Sequence, residues 1–191
     1  TGLPKGVLLS NDNLNSVVHQ VINSPIPMQE KDKFLNILVP FVAYGLALGM
    51  HAPMCLGWDS ILIPKFSPKD IVKLMNKHKP AGVMGIATYY EPLLDSNKYD
   101  FSNTKVILMG GMPTKPEFEQ RINEKIRQDN GTFKISKGYS MTELTSCATC
   151  SFDFANELGS NGIPLVKTIV SAFDPITGEE KQRGELGEIC L

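Results

Sequence analysis

Along this chain short apolar runs alternate with stretches whose apolar residues recur at helical spacing, the pattern of buried strands joined by amphipathic helices. Val7-Leu8-Leu9 reads as a strand. Ser10 and Asn11 then cap a helix that carries Leu14, Val17, Val18, Val21 and Ile22 at helical spacing, and Ser24-Pro25-Ile26-Pro27 stops it. Phe34 to Val39 reads as a buried strand ended by Pro40, with the apolar segment after it as the next helix. Ser60 to Ile63 is a further strand, and Ser67-Pro68 opens a helix through Ile71, Leu74 and Met75 with proline at its first position. Ala81 to Ile86 is strand-like, Thr88 to Leu94 a short helix, and Lys105 to Met109 a buried strand running into Gly110-Gly111-Met112-Pro113. A helix from Pro116 to about Arg127 places Phe118, Ile122 and Ile126 on one face, and Phe133-Lys134-Ile135 leads into a loop at Gly138.

This alternation predicts an α/β fold: a mostly parallel sheet with helices on both faces, occupying residues 1–158. From residue 159 the chain is strand-rich, with Thr168 to Phe173, a turn over Asp174-Pro175-Ile176-Thr177-Gly178, and a strand over Gly187 to Leu191. Residues 159–191 therefore read as the start of a β-rich subdomain, and the chain as a piece of a longer one, because Leu191 falls inside a predicted strand. Ligands of parallel sheets sit at the carboxyl ends of the strands. Gly110 to Pro113 and Gly138 to Glu143 both follow strands. The longest apolar run, Phe41 to Trp58, is broken by three glycines, His51 and Pro53, which predicts a buried helix with flanking turns and no membrane span.

Acids and bases are mixed along the chain, and the formal charge is -1. That leaves no electrostatic footprint for nucleic acid or an anionic membrane, while a small polar or anionic ligand stays open. Cys55, Cys147, Cys150 and Cys190 are too few for a disulfide framework, so a reducing, cytoplasmic setting is expected. Cys147 and Cys150 have the spacing of a redox or zinc knuckle, but no second Cys/His pair stands at ligand spacing, and they read as small packing residues. His19, His51 and His78 are scattered, and none is assigned to metal.

The chemistry concentrates in Lys137-Gly138-Tyr139-Ser140-Met141-Thr142-Glu143, read as a strand-to-helix turn facing Thr1-Gly2-Leu3-Pro4-Lys5-Gly6. Backbone amides at a helix start attract phosphate, and a carboxylate there can hold its metal. Tyr139 offers a flat face for a base, Thr142 a hydroxyl, Glu143 a hard oxygen ligand, and Lys5 a charge for phosphates. Structural readings fit the same residues. Ser140-Met141-Thr142-Glu143 is also a capping box, Lys5 after Pro4 a turn lysine, Tyr139 a core aromatic, and Gly110-Gly111 a tight turn.

In order, these segments resemble the adenylate-forming superfamily of acyl-CoA and aryl-CoA synthetases, peptide-synthetase adenylation domains and firefly luciferase. Thr1-Gly2-Leu3-Pro4-Lys5-Gly6 is similar to the second half of that family's phosphate loop, and Gly138-Tyr139-Ser140-Met141-Thr142-Glu143 to its adenine and magnesium motif. Gly110-Gly111-Met112-Pro113 resembles its Gly-Gly-Ala-Pro segment, Pro40 to Leu46 its aromatic segment near the acyl pocket, and Gly184-Glu185-Leu186-Gly187-Glu188 its Gly-Glu-Leu turn. The resemblance implies a ligase that joins a carboxylate to the α-phosphate of ATP, releases pyrophosphate, and passes the acyl group to CoA or to the phosphopantetheine of a carrier protein. It implies nucleotide contacts from Thr1, Gly2, Lys5, Gly111, Met112, Pro113, Gly138, Tyr139, Ser140, Met141 and Thr142, a magnesium ligand in Glu143, and catalytic roles for Lys5, Thr142 and Glu143. Ser140 replaces the usual glycine and Met112 the usual alanine. The aromatic segment lacks the histidine that often precedes its Tyr-Gly pair. No aspartate of the kind that binds an amino group is present there, so a fatty or aryl acid is expected. The family's ribose-binding aspartate, catalytic lysine and C-terminal domain would lie downstream of Leu191. Two other readings stay open on the residues alone: a non-catalytic nucleotide-binding or carrier-docking module, and a redox domain using Cys147 and Cys150.

Overall fold

The computed structural model describes residues 3–191. A capped helix, α1 (Asn11–Ile22), begins at Ser10, whose hydroxyl accepts from Asn13 N–H while the Asn13 side chain accepts from Ser10 N–H. Strand β1 (Lys33–Asn36) follows, then a π-helical segment over Gly45–His51 that continues into α2 (Ala52–Cys55). The predicted buried helix is thus present in a widened form. Next come β2 (Asp59–Leu62), a 3-10 turn over Pro68–Asp70 leading into α3 (Ile71–His78), β3 (Gly82–Gly85), α4 (Ala87–Leu94), β4 (Val106–Met109) and α5 (Pro116–Gln128).

The remaining elements are strands: β5 (Ser136–Met141), β6 (Ser146–Cys150), β7 (Ile163–Pro164), β8 (Ser171–Phe173) and β9 (Glu188–Cys190). Strands β1 to β5 pair in parallel in the order β2-β1-β3-β4-β5, and β6 and β7 extend the same sheet antiparallel. Strands β8 and β9 form a separate antiparallel pair, and the predicted turn at Asp174 to Gly178 folds Glu180 and Lys181 back onto β8 before the chain reaches β9.

Side-chain alternation divides the core between the two faces of the sheet. Leu35, Val83, Ile107 and Met109 pack against Ile71 and Met75 of α3, Tyr90 and Leu93 of α4, and Ile122 and Ile126 of α5. Their strand neighbours Phe34, Met84 and Leu108 pack the other way, against Val17, Val18 and Val21 of α1 and Ala47 and Leu48 of the π-helical segment. The α/β architecture with helices on both faces is the one the alternation predicts.

Two local expectations fail. Val7-Leu8-Leu9 is not a strand among the described residues: it pairs with no other segment, and Leu8 is 98% exposed. Three apolar residues do not specify a strand unless a neighbouring edge takes up their backbone hydrogen bonds. The second failure concerns the motif at Gly138, which continues β5 instead of turning into a helix. Among the described residues no helix is long and apolar enough to cross a membrane.

Candidate nucleotide site

The strand order reverses between β1 and β3, and the carboxyl ends of the parallel strands line up on one edge of the sheet. Register places Met109 beside Lys137, so the segments that follow β4 and lie within β5 leave this edge side by side. They approach through bare backbone: a Cβ at Gly110 would stand 3.2 Å from the Gly138 carbonyl oxygen. A Cβ at Gly138 would in turn stand 2.9 Å from the Thr149 carbonyl oxygen on β6. Glycine at both positions lets the Gly110 loop, β5 and β6 stack closer than side chains would permit.

The aromatic segment joins the same edge. Tyr44 is partly buried, donates its phenol to the Gly85 carbonyl at 3.4 Å, and has its ring 4.0 Å from where a Gly111 Cβ would lie. Ile86, just past β3, is 3.8 Å from that same point. The ends of β3 and β4 and the segment after Pro40 therefore converge. A cavity of about 610 Å³ opens nearby over the ends of β1 and β2, lined by Ile37, Val39, Pro40, Ile63, Phe66 and Tyr89.

Residues Gly138 to Met141 lie in β5, paired antiparallel with β6 through a register shift between Tyr139 and Ser140. Thr142–Leu144 form a single 3-10 turn, and Thr145 takes a left-handed conformation that sends the chain back along β6. This hairpin corrects two expectations. No helix N-terminus is presented by this segment, so its amides do not form the anion site predicted for a strand-to-helix turn. The rival capping box is also absent, since Met141 precedes the turn and no side-chain cap bond forms. Glu143 is exposed and makes no hydrogen bond or ion pair among the described residues. Its carboxylate is thus unengaged, and it lines a cavity of about 450 Å³ between α1, the Thr142–Leu144 turn and the Lys167 to Ile169 segment, with His19, Gln20 and Thr145.

The other predicted residues are placed as follows. Thr142 is exposed beside Glu143, and Tyr139, Ser140 and Met141 are partly exposed along β5. Gly111, Met112 and Pro113 are exposed at the end of β4. Lys5 is exposed in the segment before α1 and makes no hydrogen bond or ion pair among the described residues, so neither joins it to the Gly138 hairpin. Thr1 and Gly2 lie outside the described residues. Among those described, no group of three or more His, Cys, Asp or Glu could hold a metal by itself. Magnesium at Glu143 would therefore complete its shell with phosphate oxygens and water, the usual arrangement for this ion.

Cys147 and Cys150 are free and lie on β6, where they pack with Leu48, Met84, Leu108 and Leu165. Burial pushes the Cys147 thiol up from an ordinary 9.0 to about 11 and Cys150 further in the same direction. Burial, then the neighbouring Tyr90 and the two thiols, also holds the Tyr44 phenol well above its usual range. Each of these groups binds its proton more tightly folded than unfolded. For Cys147 the resulting contribution to stability is present below about pH 9 and is lost as pH rises through about 11, and Cys150 and Tyr44 act in the same direction. Thermal midpoints should accordingly fall between about pH 8.5 and about pH 10.5, and a Cys147→Ala variant should fall less steeply. Equal slopes would remove Cys147 from the explanation.

One feature escaped the sequence reading altogether. Glu119 is 2% exposed, and its carboxylate pairs with Lys137, which is 6% exposed. A signal existed: Glu119 lies at helical spacing from Ile122 and Ile126 and so falls on the apolar face of α5.

An α/β sheet with paired glycine loops at its carboxyl edge is a class of architecture whose ligands, dinucleotides among them, bind at that edge. More narrowly, the chain belongs to the AMP-binding enzyme family, which it matches over residues 1–191. It is 32% identical to the long-chain-fatty-acid–CoA ligase of Bacillus subtilis, a match covering 100% of this chain and 34% of that protein. It is 30% identical to 4-coumarate–CoA ligase 1 of Arabidopsis thaliana, covering 100% of this chain and 35% of that one. Among solved structures, ATP-bound MatB of Rhodopseudomonas palustris superposes with a TM-score of 0.86 at 25% identity, over 99% of this chain and 37% of its own. The O-succinylbenzoate coenzyme A synthetase of Bacillus subtilis, solved with ATP and magnesium, gives 0.81 at 26% identity over 99% of this chain and 38% of its own. The chain spans about a third of the length of these relatives.

Proposed function

We propose that the protein carrying this chain is an ATP-dependent carboxylate–CoA ligase, and that this segment supplies its nucleotide floor and the start of its acyl pocket. The observation that carries the reading is the backbone contact of Gly110 with Gly138 at the carboxyl edge, with Glu143 unengaged just beyond it. Gly111, Met112 and Pro113 on one side and Gly138, Tyr139, Ser140 and Met141 on the other would receive the adenine. Thr142 would donate to the α-phosphate. Lys5, with Thr1 and Gly2, would neutralise the outer phosphates. Bound magnesium, held by Glu143, would offset phosphate charge.

No protein nucleophile is required. The substrate carboxylate attacks the α-phosphorus, pyrophosphate leaves, and the thiolate of CoA or of a carrier phosphopantetheine displaces AMP from the acyl carbon. The chain's own contribution is positioning and stabilisation of phosphate charge. Fatty and aryl acids are the substrate class, supported by the named relatives and by the apolar side chains, Pro40, Phe66 and Tyr89 among them, that line the cavity over the ends of β1 and β2. Working on such a substrate inside a cell, the protein would be cytoplasmic, consistent with four free cysteines.

Full-length protein given magnesium, ATP, CoA and a panel of fatty and aryl acids should release pyrophosphate only when an acid is present. Nucleotide binding with no acid-dependent release from any member of the panel would favour the non-catalytic binding module instead. Truncating Phe66, which lines that cavity, to Ala tests the acyl side: KM for the acid should rise about tenfold while KM for ATP stays within about twofold. Equal changes in both would detach Phe66 from the acid.

A further inference from the structure

The geometry points to Glu119 and Lys137 as positioning residues that hold the gap between Gly110–Pro113 and Gly138–Met141, and through that gap set how tightly and how selectively the nucleotide base is held. This rests on the proposed ligase reading for its nucleotide consequence, while the mechanical part stands apart from it.

Lys137 immediately precedes Gly138, and Glu119 lies in the first turn of α5, the helix into which the Gly110 loop runs by way of Thr114 and Lys115. One carboxylate oxygen of Glu119 takes the Lys137 ammonium, and the other accepts from Gly159 N–H at 3.2 Å. Lys137 is independently anchored through its backbone. Its N–H donates to Ser151 Oγ at 2.7 Å, and its carbonyl accepts from Ser151 N–H at 2.7 Å. The ion pair thus spans from a helix rooted in one loop to a strand that contains the other, with a third tie to the segment after β6.

Lower down, Asn123 accepts Ile135 N–H at 2.8 Å, so α5 is stitched to this strand at two levels and the ion pair is the level next to the motif. Strand alternation puts Tyr139 on the same face as Lys137, one step nearer the carboxyl edge. Between the loops themselves the contact is bare glycine backbone, which sets a closest approach but exerts no pull.

Stability alone does not account for charges here. Burying two ions costs desolvation that an apolar pair of similar volume avoids, and such replacements are often neutral or stabilising. What a buried ion pair adds is a defined length and direction between its two anchors. A hydrophobic contact in the same place would tolerate sliding.

Two measurements on the full-length protein test this with Lys137→Met and with the paired Glu119→Gln/Lys137→Gln, which keeps a neutral hydrogen-bonded link. The first is hydrogen exchange, which needs no ligand. Lys137→Met should speed exchange about tenfold or more both at the Gly110 amide, which donates to the Gly85 carbonyl at 3.2 Å, and across the 138–141 segment, and the paired variant should restore much of the protection. Faster exchange in the 138–141 segment alone would overturn the coupling. The second is kinetic. KM for ATP should rise about tenfold in Lys137→Met, preference for ATP over GTP should fall, and KM for the acid should stay within about twofold. Unchanged ATP parameters, or ATP and acid parameters worsening together in step with thermal stability, would overturn the role in base selection. Should Lys137→Met not fold, Glu119→Gln, which keeps the acceptor for Gly159, is read by the same two measurements and the same outcomes. A parent protein without ligase activity would defeat the proposed function and leave the exchange result to decide the coupling.

Discussion

Replacing Glu143 with alanine in the full-length protein is expected to slow acid-dependent pyrophosphate release by about 100- to 1,000-fold, the usual loss when one charge-stabilising group is removed from a phosphoryl or acyl transfer site. The expectation follows from where the residue sits. Glu143 lies on a one-turn connection between two paired strands, exposed and with no hydrogen bond or ion pair among the described residues, so its carboxylate has no structural task. For the same reason the variant should fold normally, with stability within about 0.5 kcal/mol of the parent. Because the ion would be held jointly with phosphate oxygens, the defect should be partly relieved by raising magnesium, and calorimetric titration with magnesium-ATP should show weaker binding. Full activity in a well-folded Glu143→Ala protein would remove the metal role and with it the main support for the proposed chemistry.

A large stability effect is expected at a position with no direct part in the site. Gly162 has φ +86, and a Cβ there would lie 2.0 Å from the Cys150 carbonyl carbon and 2.1 Å from Ser151 N. The contact is backbone on both sides, so no side chain can swing away. Gly162→Ala should therefore force β7 off β6 and cost about 4 kcal/mol, a size reserved for strain of this kind. For a domain of this length that lowers the thermal midpoint by roughly 10 °C. Gly178 is the control: its φ is +73 but nothing lies within 4 Å of the added carbon, so Gly178→Ala should cost only about 1 kcal/mol. Similar losses in the two variants would show that the left-handed conformation, and not the β6–β7 approach, governs the cost. Since β6 backs the strand that carries Gly138 to Met141, partial loosening at Gly162 should also weaken nucleotide binding.

The alternation of strand and helix was legible because it depends on neighbours along the chain. Apolar runs such as Phe34 to Val39 and Lys105 to Met109 bury residues 34–37 and 106–109 on both faces, and the helical spacing of Val17, Val18 and Val21 produces one buried stripe whatever it packs against. Ser10 could be read as a cap for the same reason: its partner is Asn13, three residues away. The glycine loops and the ordered motifs were likewise visible, and they sufficed to name the family. Ser140-Met141-Thr142-Glu143 was ambiguous in principle. The same four residues suit a helix cap or a strand ending in a tight turn, and the choice fell to Ser146 to Cys150, which offers β5 a pairing partner. Val7-Leu8-Leu9 went the other way, an apolar run to which no edge offers a pairing.

By itself, then, the sequence determined the fold class, the positions of most elements and the identity of the loops at the carboxyl edge, because propensity, periodicity and capping are interactions of short range. Tertiary structure alone decided that Gly110 meets Gly138, that Tyr44 reaches Gly85 and Gly111, that Glu143 is left unengaged, and that Glu119 and Lys137 find each other inside the protein. Those meetings join residues from different elements, and Glu143 is left unengaged because no other element among the described residues reaches it; both outcomes are set by how the elements pack together, which no local pattern encodes.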